Sequence, residues 1–324
     1  MSHWIFRRAL QALSVIVAMS VIVFVAVSVI GNPVDLLISP SADLAERTRV
    51  VAGLGLDQPL WRQYFNFLRG ITEGNFGRSF VYNEPSLKLI LQRFPATFEL
   101  AVAALLIAVV IGIPLGLYAG LRPEAKVSRI VMATSIVGFS LPTFWVGIML
   151  IMIFSVQLGW LPTTGRGATV AVLGVEWSFF TADGLRHLLM PALNLALFKL
   201  SLVLRLTRAA VQETLPMDFI KFARAQGLSP ARVVWVHVLK NIMIPIVTVI
   251  GLELGSTIAF AVVTESVFAW PGMGKLIIDS INTLDRPVIV AYLMVIVVLF
   301  TAINLIVDLL YTLLDPRVRL EAQG

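Results

Sequence analysis

Long apolar runs alternate with short polar segments along this chain, and the runs are long enough to cross a membrane. A bilayer core of about 30 Å requires roughly 20 apolar residues in a helix. The candidate spans are residues 9–30, 95–120, 130–158, 187–206, 242–264 and 288–314. The fourth run fits least well because it carries Lys199 and Arg205. The pattern predicts an all-α polytopic membrane protein with about six transmembrane helices.

The first apolar run follows Arg7 and Arg8, as in a signal peptide. It is longer than the roughly 7–15 residues of a cleavable signal core, and no small-x-small cleavage site follows it before Gly31. We therefore expect residues 1–31 to be a retained transmembrane helix. Two further regions follow, an external segment over 32–93 and a five-helix core over 94–324.

The segment 32–93 has apolar and aromatic residues at helical spacing, among them Trp61, Tyr64 and Phe65. Asp57 is a candidate N-cap with Pro59 in the first turn of the helix that follows. We expect a small folded lip between spans 1 and 2 on the outer, periplasmic face.

Basic residues choose the orientation, because short cytoplasmic loops are enriched in lysine and arginine. With the N-terminus inside, the cytoplasmic side would hold Arg7, Arg8, Arg122, Lys126, Arg129, the basic residues of 199–240, Arg317 and Arg319. The short outer loops would hold only Arg166, Arg186, Lys275 and Arg286. The chain is therefore predicted to have both ends in the cytoplasm. The same rule accounts for the net charge of +6, so we expect no nucleic-acid partner.

Composition excludes several kinds of site. The chain has no cysteine and three dispersed histidines, so thiol chemistry and a histidine-rich metal site are not expected. The stretch GMGKL, residues 272–276, lacks the first glycine and the hydroxyl residue of a phosphate-binding loop. Ser140 in GFSL has only His187 as a candidate base and is better explained as a hydroxyl that bends a helix. We expect no catalytic residue, metal or bound cofactor on this chain.

The predicted cytoplasmic loop, residues 207–241, is unusually polar and has the pattern helix, glycine turn, helix. Asp218 is a candidate cap for the first helix, and Gly227 ends it as a left-handed residue. Ser229 and Pro230 then begin the next helix. Phe219, Phe222 and Ala223 are predicted to share a face, with Lys221, Arg224 and Ala225 on another. Two caps and two phenylalanines favour a protein-docking role over a solvated connector.

Glycines recur every four residues at Gly112, Gly116 and Gly120, and again at Gly251 and Gly255. Such spacing lets helices approach closely in lipid. Packing inside the bundle is the favoured interpretation, with contact to a second membrane subunit as the alternative.

Glu253 is an acid within a span, where a charge requires a polar cavity or a partner. Asn194 and Lys199 are candidate partners. Either these residues line a substrate path, where Glu253 would meet a peptide's amino terminus, or they form a structural interhelical bond; both interpretations remain open. Asp308 is expected to be structural, paired with basic loop residues.

The stretch KFARAQGL followed by VWVHVLKNIMIP resembles the cytoplasmic motif of permeases of the ABC importer class. Of that motif's Glu-Ala-Ala-x3-Gly pattern, only Ala223 and Gly227 are kept. The form found here is similar to the dipeptide, oligopeptide and nickel branch. Further resemblances in chain order are FGRSF, RFPATFEL, GIPLGLYAG, SLPTFWVGI, LGWLP, ESVFAWPGMGKL and LIVDLLYTLLDPRVR.

The resemblance implies a permease subunit in a bacterial or archaeal cytoplasmic membrane, with a homologous second permease, two ATPase subunits and an external substrate-binding protein. ATP and Mg²⁺ would be bound by the ATPase subunits. The first loop helix would be a coupling helix that contacts them through Asp218, Lys221, Phe222, Ala223, Arg224, Ala225 and Gly227. Glu265, Trp270 and Pro271 would form an outer lip near the binding protein.

The implied cargo is a small peptide, although relatives serve nickel complexes, glutathione, opines or sugars. The rival interpretation is an ion-coupled secondary transporter, which would predict inverted repeats with interrupted helices. No such repeat is evident in the sequence. A membrane scaffold without transport is a third alternative, which Glu253 argues against.

Overall fold

A computed structural model describes residues 2–29, 43–53 and 57–314, with side chains described over 6–26, 43–53 and 57–309. The predicted features at Gly31, Arg317 and Arg319 lie outside these residues. In chain order the helices are α1 (Ser2–Val29), α2 (Leu44–Gly53), α3 (Leu60–Thr72), α4 (Ser86–Leu121), α5 (Lys126–Ser140), α6 (Thr143–Leu150), α7 (Ala182–Thr214), α8 (Asp218–Ala225), α9 (Pro230–Arg232), α10 (Leu239–Phe260), α11 (Val262–Val267), α12 (Met273–Asn282) and α13 (Arg286–Leu314).

The long helices match the predicted apolar runs. In the described part of the chain, five helical segments are long and apolar enough to cross a membrane: Phe6–Ala26, Ser86–Leu121, Ala182–Thr214, Pro230–Phe260 and Arg286–Leu309. Several of them incorporate flanking residues that the sequence assigned to loops, and one of these is Pro230–Phe260, which begins within the predicted loop 207–241. α4 begins at Ser86, within the predicted external segment, and α7 continues to Thr214, within the predicted cytoplasmic loop.

The third predicted span, 130–158, is not one straight helix. α5 ends at Ser140, and Thr143–Gln157 continues at an angle of 103°. Leu141 and Pro142 between them have extended backbone. Proline lacks an N–H and disfavours helical geometry in the residue before it, so Pro142 interrupts the hydrogen-bond ladder here. Ser140 donates to the carbonyl of Ile136 at 2.9 Å, as a helix-terminal hydroxyl does. Counting the bent pair as one span gives six candidate spans among the residues that the structure describes.

Residues 1–95 and 271–302 form one compact unit. Within it, the predicted external segment contains α2 and α3, and α3 packs on α1. The Tyr64 ring lies 5.3 Å from Phe24, and its hydroxyl lies 2.8 Å from Ser20 Oγ. Asp57 is not the cap of α3: the cap position is Pro59, which makes no side-chain capping bond.

The loop after α3 is held by a buried carboxylate in the same unit. Asp285 is fully buried and accepts from Ser79 Oγ and, at 3.1 Å, from the backbone N–H of Phe80. A carboxylate that accepts several local donors fixes the path of a short loop, because each lost bond would leave a buried charge less solvated.

Residues 96–270 and 303–324 form the second unit. Here the glycines of α4 face α7. A Cβ on Gly116 would lie 2.6 Å from the carbonyl oxygen of Leu204, and one on Gly120 would lie 2.6 Å from Val211 Cβ. Gly251 likewise faces Val307. These close approaches confirm intrachain packing as the role of these glycines.

A short antiparallel hairpin, β1 (Val170–Val172) and β2 (Val175–Trp177), was not predicted by the all-helical interpretation. It precedes α7 and is tied to α4 by Glu99, which is fully buried. Glu99 accepts from Arg166 Nη2 at 2.8 Å and from Ser178 Oγ at 2.9 Å. Arg166 also donates to the carbonyl of Glu176 in β2 at 2.6 Å. A paired carboxylate and guanidinium thus fix the hairpin on the helix.

Candidate functional site

The polar loop forms a short helix between two longer ones. α8 begins after Met217, whose backbone is extended and makes no side-chain cap. The prediction of Asp218 as the cap is therefore wrong: Asp218 lies in the first turn, almost fully exposed, and pairs with Lys221 at 2.9 Å. An acid in the first turn still interacts favourably with the helix dipole.

The predicted end of this helix is confirmed. Gly227 has a φ of 78°, the left-handed region. The Leu228 N–H donates to the Ala223 carbonyl at 3.3 Å, and the Gly227 N–H donates to Arg224 at 3.0 Å. These two bonds form the Schellman arrangement. Ser229 Oγ then accepts from the Arg232 N–H at 3.4 Å, so the next helical segment is capped directly.

One side of α8 is buried in its own chain. Ile220 is fully buried and Ala223 is 3% exposed. Both belong to a hydrophobic cluster that also includes Val233 and Val238, which precede α10, and Ile242, which lies in the first turn of α10. The interpretation that Phe219, Phe222 and Ala223 share a face is therefore wrong. Ala223 packs inward because it lies three residues after Ile220 on the same helix face, so it is not available to a partner.

The other side of α8 is open. Phe222 is 64% exposed, an unusual state for a phenylalanine that has polar neighbours. The other exposed residues of the predicted contact set are Asp218, Lys221, Arg224, Ala225 and Gly227. The result is a rigid helix with an aromatic centre and mixed charges around it, a composition suited to a protein interface.

The intramembrane acid has the predicted basic partner. Lys199 Nζ on α7 contacts Glu253 Oε2 on α10, and it also donates to Ser256 Oγ at 3.0 Å. Ser256 Oγ lies 2.9 Å from Glu253 Oε2. The Lys199 and Glu253 side chains are 12% and 21% exposed, respectively. The pair is therefore shielded but reachable.

These side chains line a cavity of about 480 Å³. Its remaining lining is mainly apolar: Thr143, Leu195, Phe198, Thr257, Phe260 and Val263. Because Ser256 lies three residues after Glu253 on the same helix, spacing alone would have been enough to include it; the phenylalanines carry no comparable signal in the sequence. In the described residues, no group of three or more acidic, histidine or cysteine side chains could hold a metal ion.

Asn194 does not join the pair. It is buried, and its Nδ2 donates to Thr264 Oγ1 at 2.9 Å. Its Oδ1 is buried without a hydrogen-bond partner in the described part of the chain. Asn194 lies five residues before Lys199, which turns it to another side of α7 at 3.6 residues per turn.

The predicted outer lip is mostly interior. Glu265 and Trp270 are both fully buried. Glu265 Oε1 accepts from Thr97 Oγ1 at 2.7 Å, and Trp270 Nε1 donates to the Ala96 carbonyl at 2.8 Å. Both side chains bind α4 and are therefore closed to a partner, while the location of this segment at an outer lip stays a prediction. Pro271 is half-buried.

Comparison with known proteins matches both halves of the chain. Residues 112–320 match the family described as binding-protein-dependent transport system inner membrane component, and residues 1–101 match the N-terminal region of such components. The chain is 39% identical over 302 residues to the di/tripeptide transport system permease protein DppB of Pseudomonas aeruginosa, covering 89% of this chain and 90% of that protein. It is 37% identical over 320 residues to the oligopeptide transport system permease protein AppB of Bacillus subtilis, covering 98% and 99%.

A solved structure has a related fold. An inward-facing form of the MetNI methionine ABC transporter matches with a TM-score of 0.53 and 17% identity, over 70% of this chain and 96% of that one. The family match and the permease relatives support a permease subunit of an ATP-driven importer over an ion-coupled secondary transporter, and a multi-pass protein of the inner membrane that carries no catalysis of its own. The chain belongs to the family of binding-protein-dependent transport system inner membrane components.

Proposed function

We propose that this chain moves small peptides inward across the inner membrane and that α8 is the element through which ATPase subunits drive it. Relatives named as di/tripeptide and oligopeptide permeases support the cargo class. A glutathione transport system permease, GsiC of Escherichia coli, is also similar, at 36% identity over 320 residues. Glutathione is itself a small peptide, so the same class of cargo covers it.

The observation that carries the coupling role is the two-sided character of α8. Its exposed side offers Phe222 and Arg224, while its buried side places Ile220 in one hydrophobic cluster with Val233, Val238 and Ile242. Ile242 lies eleven residues before Glu253 on α10, which is about 16 Å along a helix at 1.5 Å per residue. A displacement of α8 is therefore transmitted to α10, the helix that carries Glu253, because a closely packed interior transmits strain.

The proposed orientation places both chain ends and α8 in the cytoplasm. The distribution of basic residues supports it, with Arg122, Lys126 and Arg129 at one end of the bundle. α8 then faces the compartment that contains ATP. The hairpin, which lies at the opposite end of α7, faces outward.

The proposed assembly has a homologous second permease, two ATPase subunits that bind ATP and Mg²⁺, and an external substrate-binding protein, all within membrane lipid. The ATPase contact uses Asp218, Lys221, Phe222, Arg224, Ala225 and Gly227. In the translocation path we place Lys199 and Glu253, which line the cavity; Asn194 supports that region from within the bundle through Thr264.

Affinity purification of the native complex from membranes tests the proposal. We expect ATPase chains to copurify with the unaltered protein, and Phe222→Ala with Arg224→Ala to reduce their recovery at least tenfold. Leu173→Ala is the matched control. Leu173 is 99% exposed at the hairpin tip, and α7, about 50 Å long, lies between that hairpin and α8. Equal ATPase recovery with all three proteins would contradict the docking role.

The energy source is tested separately by uptake into vesicles. Uptake of a dipeptide that requires ATP and survives collapse of the proton gradient is the expected result. Uptake that follows the gradient without ATP would instead support the ion-coupled alternative.

A further inference from the structure

The Lys199–Glu253 pair combines two properties that a structural brace does not need. It lies within candidate membrane spans, and both charged groups face a cavity rather than the packed bundle interior. Charged groups are costly in a membrane and usually mark a site of function. Glu265, by comparison, is a fully buried carboxylate that accepts a bond from Thr97.

The cavity has the size and lining of a site for a small ligand. Its volume of about 480 Å³ falls within the roughly 300–1,000 Å³ of ordinary ligand pockets. Polar groups are confined mainly to one region, where Lys199, Glu253 and Ser256 contact one another. The lining also includes two apolar rings, Phe198 and Phe260, and Phe260 is 79% exposed. The space thus offers one ionic region and one apolar region.

We propose that this pair opens to hold the two charged termini of a zwitterionic di- or tripeptide, Lys199 binding the carboxylate and Glu253 the ammonium group. This inference rests on the proposed peptide transport. A zwitterion carries one charge of each sign, so each member of the pair exchanges its partner for an equivalent one. No uncompensated charge remains once the peptide is bound, which matters because an unpaired charge in this environment is strongly unfavourable.

Chain dimensions fit the exchange. An extended peptide advances about 3.3–3.6 Å per residue, so the termini of a di- or tripeptide lie roughly 5–10 Å apart. The long side chains of Lys199 and Glu253 come from different helices, α7 and α10, and can separate by such a distance. Ser256 Oγ contacts both side chains and, because a hydroxyl both donates and accepts, can bind either terminus.

The apolar region explains how such a site accepts many peptides. The Phe198 ring lies 5.5 Å from Lys199 Nζ and stacks at 4.5 Å on Phe139. Aromatic faces and the Phe260 ring contact side chains without demanding a particular hydrogen-bond pattern. The site would therefore recognise the termini that all peptides share and tolerate variation between them.

The decisive variant is the neutral pair, Lys199→Met with Glu253→Gln. A structural pair can be replaced by uncharged residues of similar size with little loss, whereas removing one partner alone leaves a lone charge. A site for peptide termini fails in both cases. We therefore expect each single variant and the double variant to lower ATP-dependent uptake of radiolabelled Ala-Ala at least tenfold in proteoliposomes that contain the complete transporter.

Occupancy of the cavity is read directly by photo-crosslinking. Phe260 is replaced by p-benzoylphenylalanine, an aromatic exchange at an exposed lining position, and the complete transporter is illuminated during uptake of radiolabelled Ala-Ala. We expect a labelled adduct on this chain, reduced at least tenfold when the neutral pair is also present. Arg69→Met with Glu73→Gln is the control, since that 2.9 Å ion pair on α3 is not among the residues that line the cavity. It should leave both uptake and adduct within twofold.

The outcomes separate the two proposals. If the unaltered transporter takes up no peptide, peptide transport and the terminus site both fall. If it takes up Ala-Ala and the neutral pair does so within twofold, or keeps its adduct, only the terminus site is overturned. Failure of the neutral pair to assemble with its partner chains would identify the ion pair as a brace and would also overturn the inference.

Discussion

Ile220 of α8 and Ile242 of α10 lie in the same hydrophobic cluster, and each is at most 1% exposed. This cluster, which also contains Val233 and Val238, joins the exposed helix to the span that carries Glu253. It makes α8 an extension of the membrane bundle rather than a loop, because a buried apolar contact resists displacement of one partner without the other.

Truncating the Ile220 side chain in this cluster should uncouple peptide uptake from ATP hydrolysis. For Ile220→Ala we expect ATP hydrolysis to persist while peptide uptake per ATP falls several-fold, because removal of a buried isoleucine side chain costs roughly 2–5 kcal/mol and loosens the seat of α8. Uptake and ATPase activity are measured on the same proteoliposomes. Phe219→Ala, 42% exposed on the same helix, is the comparison. An unchanged ratio of uptake to hydrolysis in the Ile220 variant would show that the packing of Ile220 does not transmit the displacement of α8 to α10.

The turn at Gly227 should be equally sensitive. Its φ of 78° and its N–H bond to Arg224 are both incompatible with proline, so Gly227→Pro should abolish uptake while membrane insertion persists. Gly227→Ala should have a milder effect, at about 1–2 kcal/mol for an L-residue in the left-handed region. Gly53→Ala is the control, since a Cβ there contacts nothing within 4 Å. Normal uptake by the proline variant would contradict the role of this turn.

The approach of α4 to α7 leaves no room for a larger residue. Gly116→Val should reduce the yield of folded protein sharply, because its side chain would meet the Leu204 carbonyl, and overpacking commonly costs 1–3 kcal/mol or more. Gly138→Ala should be tolerated, as the nearest atom to its added Cβ is Ser201 Oγ at 4.0 Å. Size-exclusion profiles and thermal unfolding of the purified proteins provide the measurement. A Gly116 variant with an unchanged melting temperature would mean that the helices can move apart at little cost.

The hairpin should depend on its buried carboxylate. Glu99→Gln leaves Arg166, which is 12% exposed, without its charged partner, and breaking such a pair from one side costs about 3–5 kcal/mol. We expect faster proteolysis in the hairpin region, residues 166–178, and a lower melting temperature. Thr169→Ala removes only the 2.6 Å bond from an exposed hydroxyl to Glu176 and should cost far less. Identical proteolysis rates for the two variants would show that Glu99 does not hold the hairpin.

The end of α8 could be predicted from the sequence, because it depends on the backbone preferences of a few contiguous residues. Gly227, Ser229 and Pro230 act through their own backbone preferences and one or two neighbours, so the end of α8 and the start of the next segment were predicted correctly. The cap at Asp218 and the shared face of Phe219, Phe222 and Ala223 were not. Which side of a short helix is buried depends on what it packs against, here Val233, Val238 and Ile242.

The membrane class, the positions of most spans and the family could all be predicted from the amino-acid sequence, because apolar length and local turn chemistry are properties of contiguous residues. The sequence also identified Lys199 as a candidate partner for Glu253. Three features required the folded chain. Lys199 rather than Asn194 pairs with Glu253, the Glu265 and Trp270 side chains are buried, and the glycines of α4 pack against α7. Each of these features depends on segments that are distant in the sequence. In a closely packed interior, the neighbours of a buried side chain come from several such segments, so no single segment specifies them.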